Sequence, residues 1–142
     1  MTFCSLITQT EQAIAPGVYT AVRFEKESTD TEGWHASTDL ADPDSALIIP
    51  KTTTVALLAG AVFWANDNTV TQYLQRFTRD PYDPDLIDST ATHDRAATPG
   101  AEYEAFTWPM TIRTGQPLAL MIGHNSPNPQ SITLAEFKVW VP

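Results

Sequence analysis

The side chains in this chain that could act as nucleophiles, bases or metal ligands are few and scattered. The 142-residue sequence has one cysteine, Cys4, and three histidines, His35, His93 and His124. A cysteine with a histidine partner could form a catalytic pair, and converging histidines could bind a metal ion. Each histidine is isolated among loop residues or at a strand end, however, and Cys4 has the apolar neighbours of a buried, inert thiol. No catalytic motif is present, so we expect no enzyme activity, no cofactor and no bound metal.

Two short acidic runs leave calcium binding open as an alternative. Calcium prefers several carboxylate and carbonyl oxygens. Neither run has the spacing of a helix–loop–helix calcium site, and acidic turns rich in proline are usually only solvated. The residues concerned are Asp39, Asp42 and Asp44 in one run and Asp80, Asp83 and Asp85 in the other.

The tryptophans are candidates for recognition rather than catalysis. Together with Tyr82 and Tyr103, the four tryptophans could form a sugar-binding platform. Trp64, Trp108 and Trp140 fall in predicted strands, however, which favours packing in the core or at a subunit interface. Trp34 lies in a predicted loop beside Gly33, and large aromatic residues often anchor binding interfaces. Trp34 is therefore the loop residue that we expect to contact a partner.

The composition excludes several classes of partner. The net charge is −9, which argues against nucleic acid and against anionic membrane surfaces, because both require clustered lysine and arginine. A single cysteine permits no internal disulfide. The longest apolar run, at 55–65, is about half of the ~20 residues that a spanning helix needs. The first ten residues lack the features of a signal peptide.

The pattern of strands and turns predicts an all-β single domain. Short apolar or alternating segments recur between turn residues, and helix signals are weak. The segment at 53–65 is apolar at both parities, as in a strand buried on both faces or placed at a subunit contact. We expect it to form a hairpin with 71–78, and we expect 79–100 to be a long loop. The predicted strands are 3–8, 17–25, 45–49, 53–65, 71–78, 103–113, 116–124 and 131–141.

The last segment alternates regularly and ends at the C-terminus. Such a strand usually lies inside a sheet, since an edge strand there would fray. About eight to ten strands of this length are typical of two packed sheets, which gives a β-sandwich.

The order of these segments resembles the jelly roll of tumour necrosis factor and of the globular heads of the first complement component. Segment 21–25 is similar to an early strand of that family, and 45–50 followed by 54–64 is similar to its strand pair F-x-I-P and G-x-Y-x-x-x-x-x-x-W. Segment 116–120 is similar to G-D-x-L-x-L. The chain departs from the pattern at 52–55, where the family has Gly and Tyr.

The resemblance implies a single-domain jelly-roll β-sandwich, with an N-terminal arm and first strand at 1–12 and the jelly roll at 13–142. Bacteriophage structural proteins carry many versions of this domain. The resemblance therefore implies a structural virion protein, a homotrimeric capsid decoration (cement) protein bound to the major capsid protein or another virion protein. It would be made in the host cytoplasm and located in the virion. The alternative is a receptor- or carbohydrate-binding tip of a tail or head fibre.

In the resembled family one sheet of each subunit faces its neighbours, and the first and last strands belong to that sheet. This implies a set of aromatic and apolar residues on those strands, on the 103–113 strand and in the Trp34 loop as candidate subunit or partner contacts. They are Phe3, Leu6, Trp34, Phe106, Trp108, Phe137 and Trp140.

Overall fold

Strands form nearly all of the regular structure in the computed structural model, which describes residues 1–65, 67, 69–97 and 102–142. That part of the chain contains no helix that could span a membrane. A single short 3₁₀ helix, Pro43–Ala46, accompanies the ten strands found there. The strands are β1 (Thr2–Thr8), β2 (Gln12–Ile14), β3 (Thr20–Ala21), β4 (Lys26–Asp30), β5 (Thr54–Trp64), β6 (Gln72–Arg79), β7 (Asp88–Ala96), β8 (Glu102–Ile112), β9 (Leu118–His124) and β10 (Gln130–Val141).

Two antiparallel sheets face each other across one core. The first sheet has the order β4–β1–β10–β5–β8, with β2 also paired to β10, and the second has the order β3–β9–β6–β7. The chain crosses repeatedly between the sheets, as in a jelly-roll sandwich. Strand β10 lies between β1 and β5, which confirms that the C-terminal strand is inside a sheet. Strands β1, β10 and β8 share the first sheet, also as predicted.

Aromatic rings from both sheets fill the centre of the core. The rings of Phe24 and Phe77 lie 6.3 and 5.9 Å from that of Phe137, measured between centroids. Gly60 of β5 lies against this cluster, and a Cβ atom there would come within 2.9 Å of a methyl group of Leu120. The small residue in the middle of β5 therefore lets the two sheets approach closely.

Two expectations about the middle of the chain are wrong. Strand β6 pairs with β7 and β9 in the second sheet and forms no hairpin with β5, because the chain changes sheets between them. The predicted loop at 79–100 contains strand β7. This edge strand is largely exposed and polar, so it lacks the apolar alternation that reveals a half-buried strand.

The predicted strands at 17–25 and 45–49 are also corrected. Only Thr20–Ala21 forms a ladder, with β9. Residues Pro43–Ala46 form the 3₁₀ helix instead, capped by the carboxylate of Asp42, and Ile48 makes isolated bridges to His35 and Leu118. In β8 the proline at 109 is accommodated because β8 is an edge strand, which needs donors on one side only.

Candidate functional site

The first sheet has an outward side as well as a core side, and apolar residues cross this outward side in rows. Trp140 of β10 pairs with Phe3 of β1 on one flank and with Leu57 of β5 on the other. Leu57 in turn pairs with Pro109 of β8. Because paired residues of neighbouring strands point to the same side of a sheet, these four side chains form one continuous apolar row.

A second row lies towards the other end of the sheet. Leu134 of β10 pairs with Phe63 of β5, which pairs with Tyr103 of β8. The rings of Phe63 and Tyr103 are in tilted contact, with centroids 6.2 Å apart. The outward side of the sheet is therefore apolar and partly aromatic at both ends.

Small residues and one ion pair occupy the middle of the outward side. Ala59 pairs with Lys138, and Ala61 pairs with Glu136. The Lys138 Nζ and Glu136 Oε2 atoms are 3.5 Å apart. Three polar residues, Ser5, Thr107 and Thr111, also lie on this side. We call its apolar residues and the ion pair the apolar face, formed by Phe3, Ile7, Val55, Leu57, Ala59, Ala61, Phe63, Tyr103, Ala105, Pro109, Leu134, Glu136, Lys138 and Trp140.

The apolar face is exposed in the single chain. The exposed fraction is 60% for Val55, 52% for Tyr103, 38% for Trp140, 37% for Phe63 and 36% for Leu57. A sheet face in contact with water is ordinarily polar, and a contiguous exposed apolar patch marks a surface that binds another molecule. This side of the first sheet is therefore the candidate functional site.

Two shallow hollows lie in the apolar face, on either side of Lys138. One, of about 410 Å³, is lined by Phe3, Leu57, Trp140 and their neighbours and is almost entirely apolar. The other, of about 340 Å³, is lined by Ala61, Tyr103 and Ala105. Their breadth and shallowness suit contact with a protein surface rather than enclosure of a small molecule, which would need a deep cleft.

The structure divides the predicted contact residues into those on the surface and those in the core. Phe3 and Trp140 lie on the apolar face, where contact with another subunit is feasible. Leu6 and Phe137 have no exposed surface, because their parity along β1 and β10 points them at the second sheet. Those two residues belong to the core, which corrects their assignment as contacts.

Trp34 is also corrected, since only 2% of it is exposed. The backbone N–H groups of Trp34 and His35 donate to the carboxylate of Asp30, both at 2.9 Å. These bonds fix the loop and turn the indole into the core. A loop tryptophan can therefore be a core residue, and the sequence neighbours of Trp34 gave no sign of it.

Phe106 and Trp108 lie on β8 but not on the apolar face. The Phe106 ring stacks on Phe77 at 4.3 Å and on His93 at 5.4 Å, and so fills the space between the two sheets at their edge. Trp108 is 47% exposed at the free edge of β8. Of these two residues, Trp108 has the surface available for a contact.

Sequence reasoning missed two large residues of the apolar face, Leu57 and Phe63, and named Tyr103 only for a sugar-binding platform. The signal for the first two was the apolar character of 53–65 at both parities. A strand of that kind buries one parity in its own core and has another apolar parity to cover. Tyr103 carried no comparable signal.

The side chains that could take part in catalysis or bind a metal already make structural contacts. Nε2 of His124 donates to the Ile14 carbonyl at 2.8 Å, and its Nδ1 accepts from the Ser126 N–H at 3.2 Å. The ring nitrogens of His35 contact Glu27 at 3.0 Å and the Ser45 carbonyl at 2.9 Å. In the described ranges no three histidine, cysteine or acidic side chains are grouped to hold a metal ion.

Burial also makes the thiol of Cys4 unreactive. Burial, followed by the nearby carboxylates of Asp30 and Glu27, raises the pKa of Cys4 far above its ordinary value. The thiolate is the nucleophilic form. Cys4 is therefore a core residue of β1.

The acidic runs stabilise their own turns. Asp39 accepts a hydrogen bond from the Ala41 N–H, Asp42 from the Asp44 N–H, and Asp83 from the N–H of the residue two positions on. These are Asx turns, in which the aspartate side chain satisfies a local backbone donor.

Glu102 and Glu104 of β8 are buried, and the Glu104 carboxyl group lies between the sheets, beside the apolar face rather than on it. Glu104 of β8 accepts a hydrogen bond from the amide of Gln75 at 3.1 Å, and Arg95 lies 4.0 Å away. Its Oε1 has no hydrogen-bond partner among the described residues, and neither has Oε1 of Gln75. Burial raises the pKa of Glu104, although Gln75, His93 and Arg95 oppose this effect.

Replacing Glu104 by glutamine is expected to stabilise the fold at neutral pH. The folded state holds the Glu104 proton more tightly than the unfolded state, so wild-type stability falls as pH rises from about 4.3 through the raised folded pKa. In the Glu104→Gln variant this fall of stability with pH is absent, and the new amide can donate a hydrogen bond to Oε1 of Gln75. The free energy of unfolding should therefore be about 1 kcal/mol higher than that of wild type at pH 7. Urea unfolding between about pH 4 and pH 8 measures both effects.

The matched control is Glu11→Gln at an exposed position, which should not stabilise the fold at pH 7. If Glu104→Gln shows the wild-type slope of stability against pH, burial does not govern this carboxyl group.

Comparison with known proteins identifies the fold. No protein-family description matches the sequence, and no curated protein matches it. Among solved structures, the globular domain of zebrafish complement 1qA protein is 8% identical with a TM-score of 0.64, over 99% of this chain and 97% of that chain.

Two further structures show the same likeness. The Eiger TNF of S. frugiperda is 9% identical with a TM-score of 0.65, over 100% of this chain and 94% of that one. Murine APRIL is 13% identical with a TM-score of 0.64, over 99% and 98%. At these identities the likeness concerns the fold alone. The chain is an all-β jelly-roll sandwich with the fold of these complement 1qA and TNF structures, which confirms the predicted fold class.

Proposed function

We propose that this protein is a non-enzymatic structural protein that assembles as a homotrimer through the apolar face. Within that class, we propose that it is a capsid decoration protein of a virion, bound to the major capsid protein or to another virion protein. The exposed apolar face of the first sheet is the observation that supports the assembly. The virion role follows from the resemblance to jelly-roll domains of bacteriophage structural proteins.

The energetics of the apolar face favour covering it by protein. Burying one large apolar side chain contributes roughly 1.5–3 kcal/mol, and the face carries several that are a third or more exposed. Each chain has a net charge of −9, but this repulsion is screened over about 8 Å at physiological ionic strength. Apolar contact between copies can therefore outweigh their mutual repulsion.

The engagement of Cys4 and the histidines in structural contacts supports a role without catalysis. Cys4 is held in the core, His35 and His124 are held in hydrogen bonds, and the His93 ring stacks on Phe106. Gln75 and Glu104, which have unsatisfied polar atoms, are buried between the sheets and away from the apolar face.

Light scattering of the purified protein at micromolar concentration tests the assembly. A mass near three times 15.6 kDa is expected. A monomer at this concentration, and in virus particles that contain the protein, would contradict the proposal. Mass spectrometry and electron microscopy of such particles then test the virion role: density for trimers on the capsid surface supports decoration. Density at a fibre tip, together with glycan-array binding, would support the alternative of a receptor- or carbohydrate-binding tip.

A further inference from the structure

The ion pair between Glu136 and Lys138 is the charged feature at the centre of the apolar face. We propose that these two residues determine the specificity of the assembly, and that each is paired with the opposite charge of a second copy when the face is covered. This inference rests on the proposed assembly through the apolar face.

The two head groups are placed where a second copy must meet them. They lie two positions apart on β10 and therefore point to the same side of the sheet. Both side chains are partly exposed, 38% for Lys138 and 34% for Glu136. Lys138 lines both hollows of the face, and Glu136 lines the one beside Tyr103. A surface that fills the two hollows has to cover the ion pair between them.

The contact between Glu136 and Lys138 uses few of their hydrogen-bond donors and acceptors, and water can satisfy the others. The structure gives them one ion pair, at 3.5 Å, whereas an ammonium group has three donors and a carboxylate about four acceptor sites. Covering the face removes the water that satisfies the rest, and a charge desolvated without partners is costly. Around a three-fold axis each neighbouring copy brings the same two charges, so Glu136 can meet Lys138 of one neighbour while Lys138 meets Glu136 of the other.

This arrangement also explains why charge is present in an otherwise apolar surface. Apolar contact is non-directional, so smooth apolar faces could meet in several alignments. A central pair of opposite charges penalises every alignment that places like charges together or leaves a charge unpaired. The pair thus contributes alignment and partner choice, and the surrounding apolar residues contribute most of the affinity.

Charge reversal with mixing tests the proposal. Glu136→Lys places two positive charges on the face and Lys138→Glu places two negative ones, so each variant alone should associate at least about 100-fold more weakly than wild type. Mixing the two variants allows trimers with two copies of one and one of the other, in which two of the three contacts join opposite charges and one joins like charges. The mixture should therefore associate at least about tenfold more tightly than either variant alone, yet more weakly than wild type. Sedimentation velocity on each variant and on the mixture measures this.

Two controls make the outcomes decisive. Lys51→Glu changes the net charge as Lys138→Glu does, at an exposed position outside the face, and should assemble as wild type. The swapped variant Glu136→Lys/Lys138→Glu should also assemble. If single reversals assemble normally, or if the mixture associates no more tightly than the single variants while the swapped variant assembles, pairing between copies is overturned. A monomeric wild type would instead overturn the proposed assembly itself.

Discussion

Replacing Trp140 by aspartate is expected to leave the fold intact and to convert the assembled protein to monomers. Trp140 lies at the centre of the apolar row between Phe3 and Leu57 and is 38% exposed. Its substitution therefore opens no cavity in the core. A carboxylate at that position would be desolvated in an apolar contact without a partner, which costs several kcal/mol and weakens association by more than about 100-fold.

Light scattering over a range of concentrations, together with near-UV circular dichroism, measures assembly and fold separately. The matched control is Val18→Asp, because Val18 is an apolar residue that is 52% exposed outside the apolar face. Val18→Asp should assemble as wild type. A Trp140→Asp variant that still assembles would show that copies do not meet at this face.

Replacing Phe137 by alanine is expected to destabilise each chain by about 3–5 kcal/mol. Phe137 is a neighbour of Trp140 on β10, but it is fully buried and its ring contacts Phe24 and Phe77 from other parts of the core. Alanine leaves a cavity that these rings cannot fill without giving up their own contacts. The loss is comparable with much of the stability of a domain of this size.

This measurement is best made in the Trp140→Asp background, where assembly does not add to the apparent stability. Urea unfolding followed by fluorescence gives the free energy of unfolding. Phe63→Ala serves as the control, since Phe63 is 37% exposed on the apolar face and its loss should cost about 1 kcal/mol or less. Equal losses for Phe137→Ala and Phe63→Ala would contradict the assignment of Phe137 to the core.

The order of segments along the chain was enough to predict the fold class. Apolar and alternating runs separated by turns indicated strands, and an alternating segment at the C-terminus indicated a strand inside a sheet, as β10 is. The apolar run at 53–65 also carried the signal for a strand with two surfaces to cover. These predictions depend on local periodicity, which is the spacing of apolar and polar residues along the chain and can be observed without a structure.

Segments whose structure depends on pairing with a distant strand could not be predicted from local periodicity. Strand β7 is polar and, among the described strands, pairs with β6 alone, so its sequence has the composition of a loop. The proline-bounded segment 45–49 was expected to be a strand, yet it begins as a 3₁₀ helix and meets β9 only through a bridge from Ile48 to Leu118. Pairing with a distant strand, rather than local pattern, decided these cases.

The contact residues show most clearly what the tertiary structure alone decided. The last strand is largely apolar at both parities, so the sequence placed Phe137 and Trp140 together as candidates without deciding which one faces outward. Pairing of β10 with β1 and β5 fixed the parity, and a shift of one residue would have exchanged the two faces. Hydrogen bonds from the backbone around Trp34 to Asp30 likewise turned a loop tryptophan into the core.

The sequence by itself determined that strands with two apolar surfaces exist, because side-chain alternation is local. Only the packing of the second sheet onto one side determined which surface was left exposed, because burial depends on residues far away in the chain.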